Sequence, residues 1–294
     1  MYGSQSQFSQ ARLVLNCVAE LRRAKDTAEF FEGLPALEQQ LWVDDALRRL
    51  QVPSPEDNVP YICLLDSGIN RGHAMLAPVL HQQDMHTVND AWGVNDTANH
   101  GTGLAGVAIY GDMIDALSST DAIEVGHRLE SVKLTPNYGA NVGDAKQHAY
   151  LFSSAVTRPE ILNGQRKRIF SSAVTATAYR DFGRPSAWSS MVDSLAVDAL
   201  AETPFPRLFV LSAGNIVDRA HWGNYPASLS VNQIHDPGQS WNALTVGAFT
   251  DKVELNEPEF IPVADQGALS PFTTTSMGWE PVWPFKPDVV FEGG

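Results

Sequence analysis

The chain has 294 residues, with 20 Lys and Arg against 34 Asp and Glu, giving a formal charge of −14. That length fits one large domain or two modest ones, and 44% hydrophobic with 18% charged residues is too apolar and too mixed for a disordered chain. The acidity, with no basic run longer than Arg22-Arg23-Ala24-Lys25, argues against nucleic acid as a partner, because such binding needs clustered cations to displace phosphate counterions.

Taken from its start, the chain opens on the polar stretch Met1-Tyr2-Gly3-Ser4-Gln5-Ser6-Gln7, without the basic start and apolar core of a signal peptide. A cytoplasmic location is therefore expected, and no apolar run is long enough to predict a membrane span. Cys17 and Cys63 are too few for a disulfide framework or a cysteine-based zinc site. Leu13, Leu15, Val18, Leu21 and Ala24, then Leu37, Leu41, Ala46, Leu47 and Leu50 after Pro35, recur at helical spacing. They predict a helical N-terminal extension over residues 1–51. A proline-rich stretch over residues 52–60 reads as a linker or long loop and opens a second region, residues 52–294. Beyond it, short apolar and β-branched runs at residues 61–65, 168–174, 208–212 and 243–248 alternate with helical or polar stretches. This is the pattern of an α/β domain on a mostly parallel sheet.

Three features carry candidate chemistry. The first run ends in Asp66-Ser67-Gly68-Ile69, placing a carboxylate at the carboxyl end of a buried strand, where α/β sheets hold their ligands. His100 follows 34 residues later and opens the small-residue helix His100-Gly101-Thr102-Gly103-Leu104-Ala105-Gly106. A third run ends in Ser212-Ala213-Gly214-Asn215, where the Asn215 carboxamide suits an oxyanion donor.

With Tyr225-Pro226-Ala227, Leu244-Thr245-Val246-Gly247-Ala248 and Lys286-Pro287-Asp288-Val289-Val290 following in order, the chain from about residue 60 onward resembles the subtilisin-like serine peptidases. The resemblance implies a three-layer α/β fold around a mostly parallel sheet, incomplete at its C-terminus. It implies hydrolysis of a polypeptide substrate by an Asp-His-Ser triad, with His100 as general base, Asp66 orienting its imidazole and Asn215 stabilising the oxyanion. Substrate contacts are implied at Ser172, Ala173, Val174 and Thr175, where the family's usual Ser-x-Gly segment lacks its glycine, and at Ser212, Ala213 and Gly214. No metal or cofactor is expected.

The family's Gly-Thr-Ser motif follows its Lys-Pro-Asp strand, so the nucleophile is expected beyond Gly294 and residues 1–294 alone are expected to be inactive. Thr274-Thr275-Ser276 imitates the motif but precedes that strand and lacks the glycine, and it reads as a polar surface loop. The alternative function is a non-catalytic binding or regulatory module on the same scaffold.

Three decoys remain. Gly101-Thr102-Gly103-Leu104-Ala105-Gly106, with Glu124 further on, matches a dinucleotide fingerprint but follows a turn-rich stretch rather than a strand. His81, Asp84 and His86 could suggest a metal but read as an exposed loop. His73 and His235 read as loop-packing residues, and Cys63 as a small buried hydrophobe.

Overall fold

A computed structural model describes residues 28–137, 145–178, 180–201, 205–251, 253 and 259–293. The first expected helix, carried by Leu13, Leu15, Val18, Leu21 and Ala24, lies outside the described residues, as does Cys17. The described α-helices are α1 (Ala28–Glu32), α2 (Ala36–Arg49), α3 (His100–Tyr110), α4 (Met113–Ser118), α5 (Ala145–Leu162), α6 (Ala187–Ala196) and α7 (Arg219–Trp222). The strands are β1 (Leu50–Gln51), β2 (Tyr61–Asp66), β3 (Leu80–Thr87), β4 (Ile123–Glu124), β5 (Arg128–Lys133), β6 (Arg168–Ser172), β7 (Leu208–Ser212), β8 (Leu244–Phe249) and β9 (Val289–Glu292).

The chain divides into two units, Met1–Arg49 with Asp112–Asp121, and Leu50–Gly111 with Ala122–Gly294. Within the first, α2 starts directly after Pro35, whose fixed φ suits a helix start. Phe31 meets Trp42 edge to face at 5.2 Å. The Arg49 guanidinium donates to the carbonyls of Ala116 at 2.9 Å and Asp121 at 2.8 Å. This ties the end of α2 to a segment more than sixty residues further along the chain.

The second unit is built on a seven-stranded sheet in the order β3-β5-β2-β6-β7-β8-β9, with every neighbouring pair parallel. The chain extends this sheet from β2 first toward β5 and β3, then from β6 toward β9. The boundary between β2 and β6 is thus a topological switch point, and crevices for ligands form at the carboxyl ends of strands there.

Side chains alternate across a strand. Cys63 and Leu65 of β2 pack with Phe152 and Val156 of α5 and Trp188 and Val192 of α6. Leu64 points the other way, onto Ala105 and Ile109 of α3. Helices therefore cover both faces, giving the expected three layers. Phe170 and Phe209 stack at 5.3 Å on adjacent strands, and Phe152 stands 5.8 Å from Phe209, filling the α5 and α6 side. By the same alternation Asp66 shares its face with Leu64 and falls on the α3 side.

Two strands of the sheet have no apolar signature. All six residues of β5 are buried although three are charged, and partners far along the chain make this possible. Glu130, with no exposure at all, accepts from Arg166 at 2.7 Å and from Arg168 at 2.6 and 2.9 Å. The segment holding His81, Asp84 and His86 is not the exposed loop expected from sequence but strand β3, paired with β5. Asp84 is buried there because Arg166 donates to it at 2.6 Å.

Thr274-Thr275-Ser276 is likewise not the surface loop expected from sequence. Thr273, Thr274 and Thr275 are buried. The Thr274 hydroxyl donates to the Ala213 carbonyl at 2.6 Å and that of Thr275 to the Leu229 carbonyl at 2.7 Å.

Candidate active site

Asp66, Lys133, Ser172 and Ser212 end β2, β5, β6 and β7 respectively, so the candidate residues gather along one edge of the sheet. Asp66 is the best-determined of them. Its side chain is 3% exposed, its Oδ1 accepts from the Ser67 amide at 2.7 Å, and its own carbonyl accepts from the Leu134 amide at 2.6 Å. The same Oδ1 lies 2.7 Å from Nδ1 of His100. A carboxylate can only accept, so Nδ1 carries the proton and Nε2 holds the free lone pair. The His100 side chain is 56% exposed. Among the described residues no hydroxyl or thiol hydrogen-bonds to Nε2.

The first turn of α3, which carries His100, is fixed from outside the helix. Asn99 precedes it in a left-handed conformation and makes no capping hydrogen bond through its side chain. Asp96 takes over that task. Its carboxylate accepts from the amides of Ala98 at 2.8 Å and Thr102 at 2.9 Å, and from the hydroxyls of Thr102 at 2.7 Å and Ser67 at 2.9 Å. Ser67 in turn accepts from the Gly101 amide at 2.9 Å, so the residue beside Asp66 anchors the residue beside His100. Two otherwise orphaned helix-start amides are satisfied in this way. Gly101 itself lies so close to β2's continuation that a Cβ there would overlap the Gly68 carbonyl oxygen. Gly101→Ala is expected to lower stability by about 1–3 kcal/mol, the range for overpacking. An unchanged melting temperature would show that the backbone approach is not tight.

The charges around His100 are uneven. The hydrogen bond that His100 donates to Asp66 raises its pKa above the ordinary value, partial burial works against this, and the negative charges of Asp66 and Asp96 add to the rise. Burial alone would raise the pKa of Asp96, but the hydrogen bonds from Thr102, Ala98 and Ser67 outweigh it and hold that carboxyl below the usual range. Lys133, the register partner of Asp66, is fully buried on the same side and donates to the Asn95 carbonyl at 2.5 Å. Burial lowers its pKa while Asp96 raises it. Asp96→Asn is thus expected to bring the His100 pKa down, since one of the two anions favouring its cation is gone. Titration of the labelled imidazole by NMR checks this, and an unchanged pKa would remove Asp96 from the electrostatics of the site.

The remaining predicted residues stand on the neighbouring strands. Ser172 is buried and its hydroxyl donates to the Leu65 carbonyl at 3.1 Å, locking β6 to β2. Ala173, Val174 and Thr175 continue beyond the strand, partly exposed. Ser212 ends β7 and its hydroxyl accepts from the Gly214 amide at 3.1 Å. Ala213 is buried, and Gly214 adopts φ 105°, a left-handed conformation suited to glycine. Asn215 is exposed, and its backbone bridges to Thr273. The structure therefore brings Asp66 and His100 into direct contact. It places Asn215 two strands away, roughly 10 Å at the usual strand spacing, without a hydrogen bond between Asn215 and His100.

Sequence reasoning missed Asp96 and Lys133. The available signal was an acidic residue four positions before His100, which reads as an N-terminal helix cap.

The dinucleotide reading loses its structural context, since only a single 3-10 turn, Asp90–Trp92, lies between β3 and α3. Among the described residues no group of three His, Cys, Asp or Glu could hold a metal ion, and no helix is long and apolar enough to cross a membrane.

Compared with known proteins, residues 57–294 match the peptidase S8 family, described as the subtilase family. No curated protein matches the chain. Among solved structures, the epidermin leader peptide processing serine protease of Staphylococcus aureus is 15% identical, with 94% of this chain and 60% of that one covered and a TM-score of 0.48. The nisin leader peptidase of Lactococcus lactis is 13% identical, with 66% of this chain and 57% of that one covered and a TM-score of 0.40. The chain thus spans about 60% of the length of the former.

Proposed function

The chain belongs to the subtilase family, and on that premise we propose that it carries the Asp and His of a serine endopeptidase whose nucleophilic serine follows Gly294. The observation that carries this reading is the 2.7 Å contact between His100 Nδ1 and the buried Asp66 Oδ1, with the ring half exposed. A neutral imidazole held this way presents its Nε2 lone pair at the surface, ready to accept a proton.

In the proposed reaction the serine hydroxyl attacks the substrate carbonyl while its proton passes to Nε2 of His100. The new C–O bond pushes the carbonyl electron pair onto oxygen, and the Asn215 carboxamide donates to that oxyanion. Collapse of the intermediate breaks the C–N bond, and the leaving amine takes the proton from Nε2. An acyl-enzyme remains, and water hydrolyses it by the same sequence of steps. Asp66 keeps the imidazole in one tautomer and stabilises the imidazolium without taking the proton. The extended peptide lies along Ser172, Ala173, Val174 and Thr175 on one wall and Ser212, Ala213 and Gly214 on the other, by strand-like pairing. Thr274 and Thr275 cannot serve as nucleophiles, since both hydroxyls are buried and committed to backbone carbonyls.

The test compares residues 1–294 with the product of the whole coding region, using casein hydrolysis and labelling by a fluorophosphonate. Hydrolysis and labelling of a serine past Gly294 are expected for the longer chain only. If the coding region supplies no such serine, the endopeptidase reading falls and the binding-module reading takes its place.

A further inference from the structure

His235 lies outside every motif that led to the proposed reaction, yet it is 1% exposed and sits between the two walls of the proposed substrate cleft. Its amide donates to the Ala213 carbonyl at 2.9 Å, on the wall that ends in Asn215. The carbonyl of the next residue, Asp236, accepts from the Ala176 amide at 2.8 Å, on the wall that continues Thr175. Thus consecutive residues hold opposite walls. The ring itself lies 3.4 Å from the Thr175 hydroxyl through Nδ1. It also occupies the place where a side chain on residue 214 would stand, since a Cβ on Gly214 would overlap His235 Cγ and Nδ1. A glycine and a flat ring are matched here, and the residue after that glycine is Asn215.

We propose that His235 is a positioning residue, whose ring packs beneath Gly214 and so fixes the backbone that aims the Asn215 carboxamide. This rests on the reading of Asn215 as the oxyanion donor. Burial, and next the charge of Arg180, bring the His235 pKa down to about 4, so near neutral pH the ring lies against the backbone uncharged. Nε2 is buried without a hydrogen-bond partner among the described residues. Ring shape therefore does the positioning, rather than a polar contact at Nε2.

The test uses the chain that includes the sequence past Gly294, with His235→Ala, His235→Phe, Asn215→Ala and the double variant of His235→Ala with Asn215→Ala. His235→Ala is expected to lower kcat about 10- to 100-fold, the scale of a small misplacement in an active site, with KM nearly unchanged. His235→Phe keeps a ring and should recover most of the loss. In the Asn215→Ala background His235→Ala should cost little more, because both changes then remove the same interaction. Full additivity, an effect on KM alone, or a phenylalanine variant no better than alanine would each overturn the proposal. Hydrogen exchange gives a readout that needs no activity, with the amides of Gly214, Asn215 and Ile216 expected to exchange faster in His235→Ala than in the parent. Unchanged exchange there overturns the positioning role even if no peptidase activity is found. A His100→Ala variant as active as the parent removes the reaction itself and leaves the exchange result standing.

Discussion

His100→Ala, in the chain extended past Gly294, is expected to lower kcat for peptide hydrolysis by about a million-fold, a size known for subtilisin itself in this family rather than derived from the geometry here. The physical reason is specific to the pair. The Asp66 carboxylate, buried at the end of β2, fixes Nδ1 at 2.7 Å, and in the proposed reaction His100 is the base that serves the nucleophile. Without the imidazole the serine must lose its proton to water. The pH profile gives an independent check. The proposed base works only when neutral, and Asp66 raises its pKa, so activity should fall as pH drops through a value above that of an ordinary histidine. Asp66→Asn should move that limb to lower pH while reducing the rate, since it removes the largest cause of the rise. An acid limb left in place by Asp66→Asn would mean that another group titrates.

Asn215→Ala is expected to lower kcat about 10²- to 10³-fold with little change in KM, again a magnitude taken from the family's reference enzyme. The residue is presented on a rigid backbone. The Ile216 amide donates to the Phe272 carbonyl at 2.7 Å, and the Ala213 carbonyl accepts from the Thr274 hydroxyl at 2.6 Å. Both residues flanking the Gly214-Asn215 pair are thereby anchored while the asparagine remains exposed. A donor fixed before reaction needs no reorganisation when negative charge develops, so its loss is felt in the transition state. Steady-state kinetics separates the possibilities, and a change confined to KM would assign Asn215 to ground-state binding instead.

The strands read best from sequence are those whose apolar runs lie in the middle of the sheet. Residues 208–212 predicted β7 to the residue, and residues 61–65 stopped one short of Asp66 in β2. β3 and β5 are not legible in the sequence, because Leu-His-Gln-Gln-Asp-Met-His-Thr and Arg-Leu-Glu-Ser-Val-Lys carry no hydrophobic period. Their burial depends on Arg166 and Arg168, whose approach no local pattern encodes. The same distinction holds at the site. The Asp66 and His100 motifs were visible, as was the turn ending in Asn215. The bond from Ser67 to Asp96, and the support of Thr274 and His235 for Ala213, arise only when distant segments meet. Threonines that look like a surface loop become buried donors once the carbonyls they serve are in place.

The link from Arg49 to the Ala116 and Asp121 carbonyls bears on how the gene could be dissected. A shortened version beginning at Leu50 would discard α1 and α2 yet keep Asp112–Asp121, the remainder of the same unit. That leftover stretch would lose both guanidinium donors and follow directly on the helix that starts with His100. A cleaner excision removes both pieces and rejoins Gly111 to Ala122 through a short glycine-rich bridge.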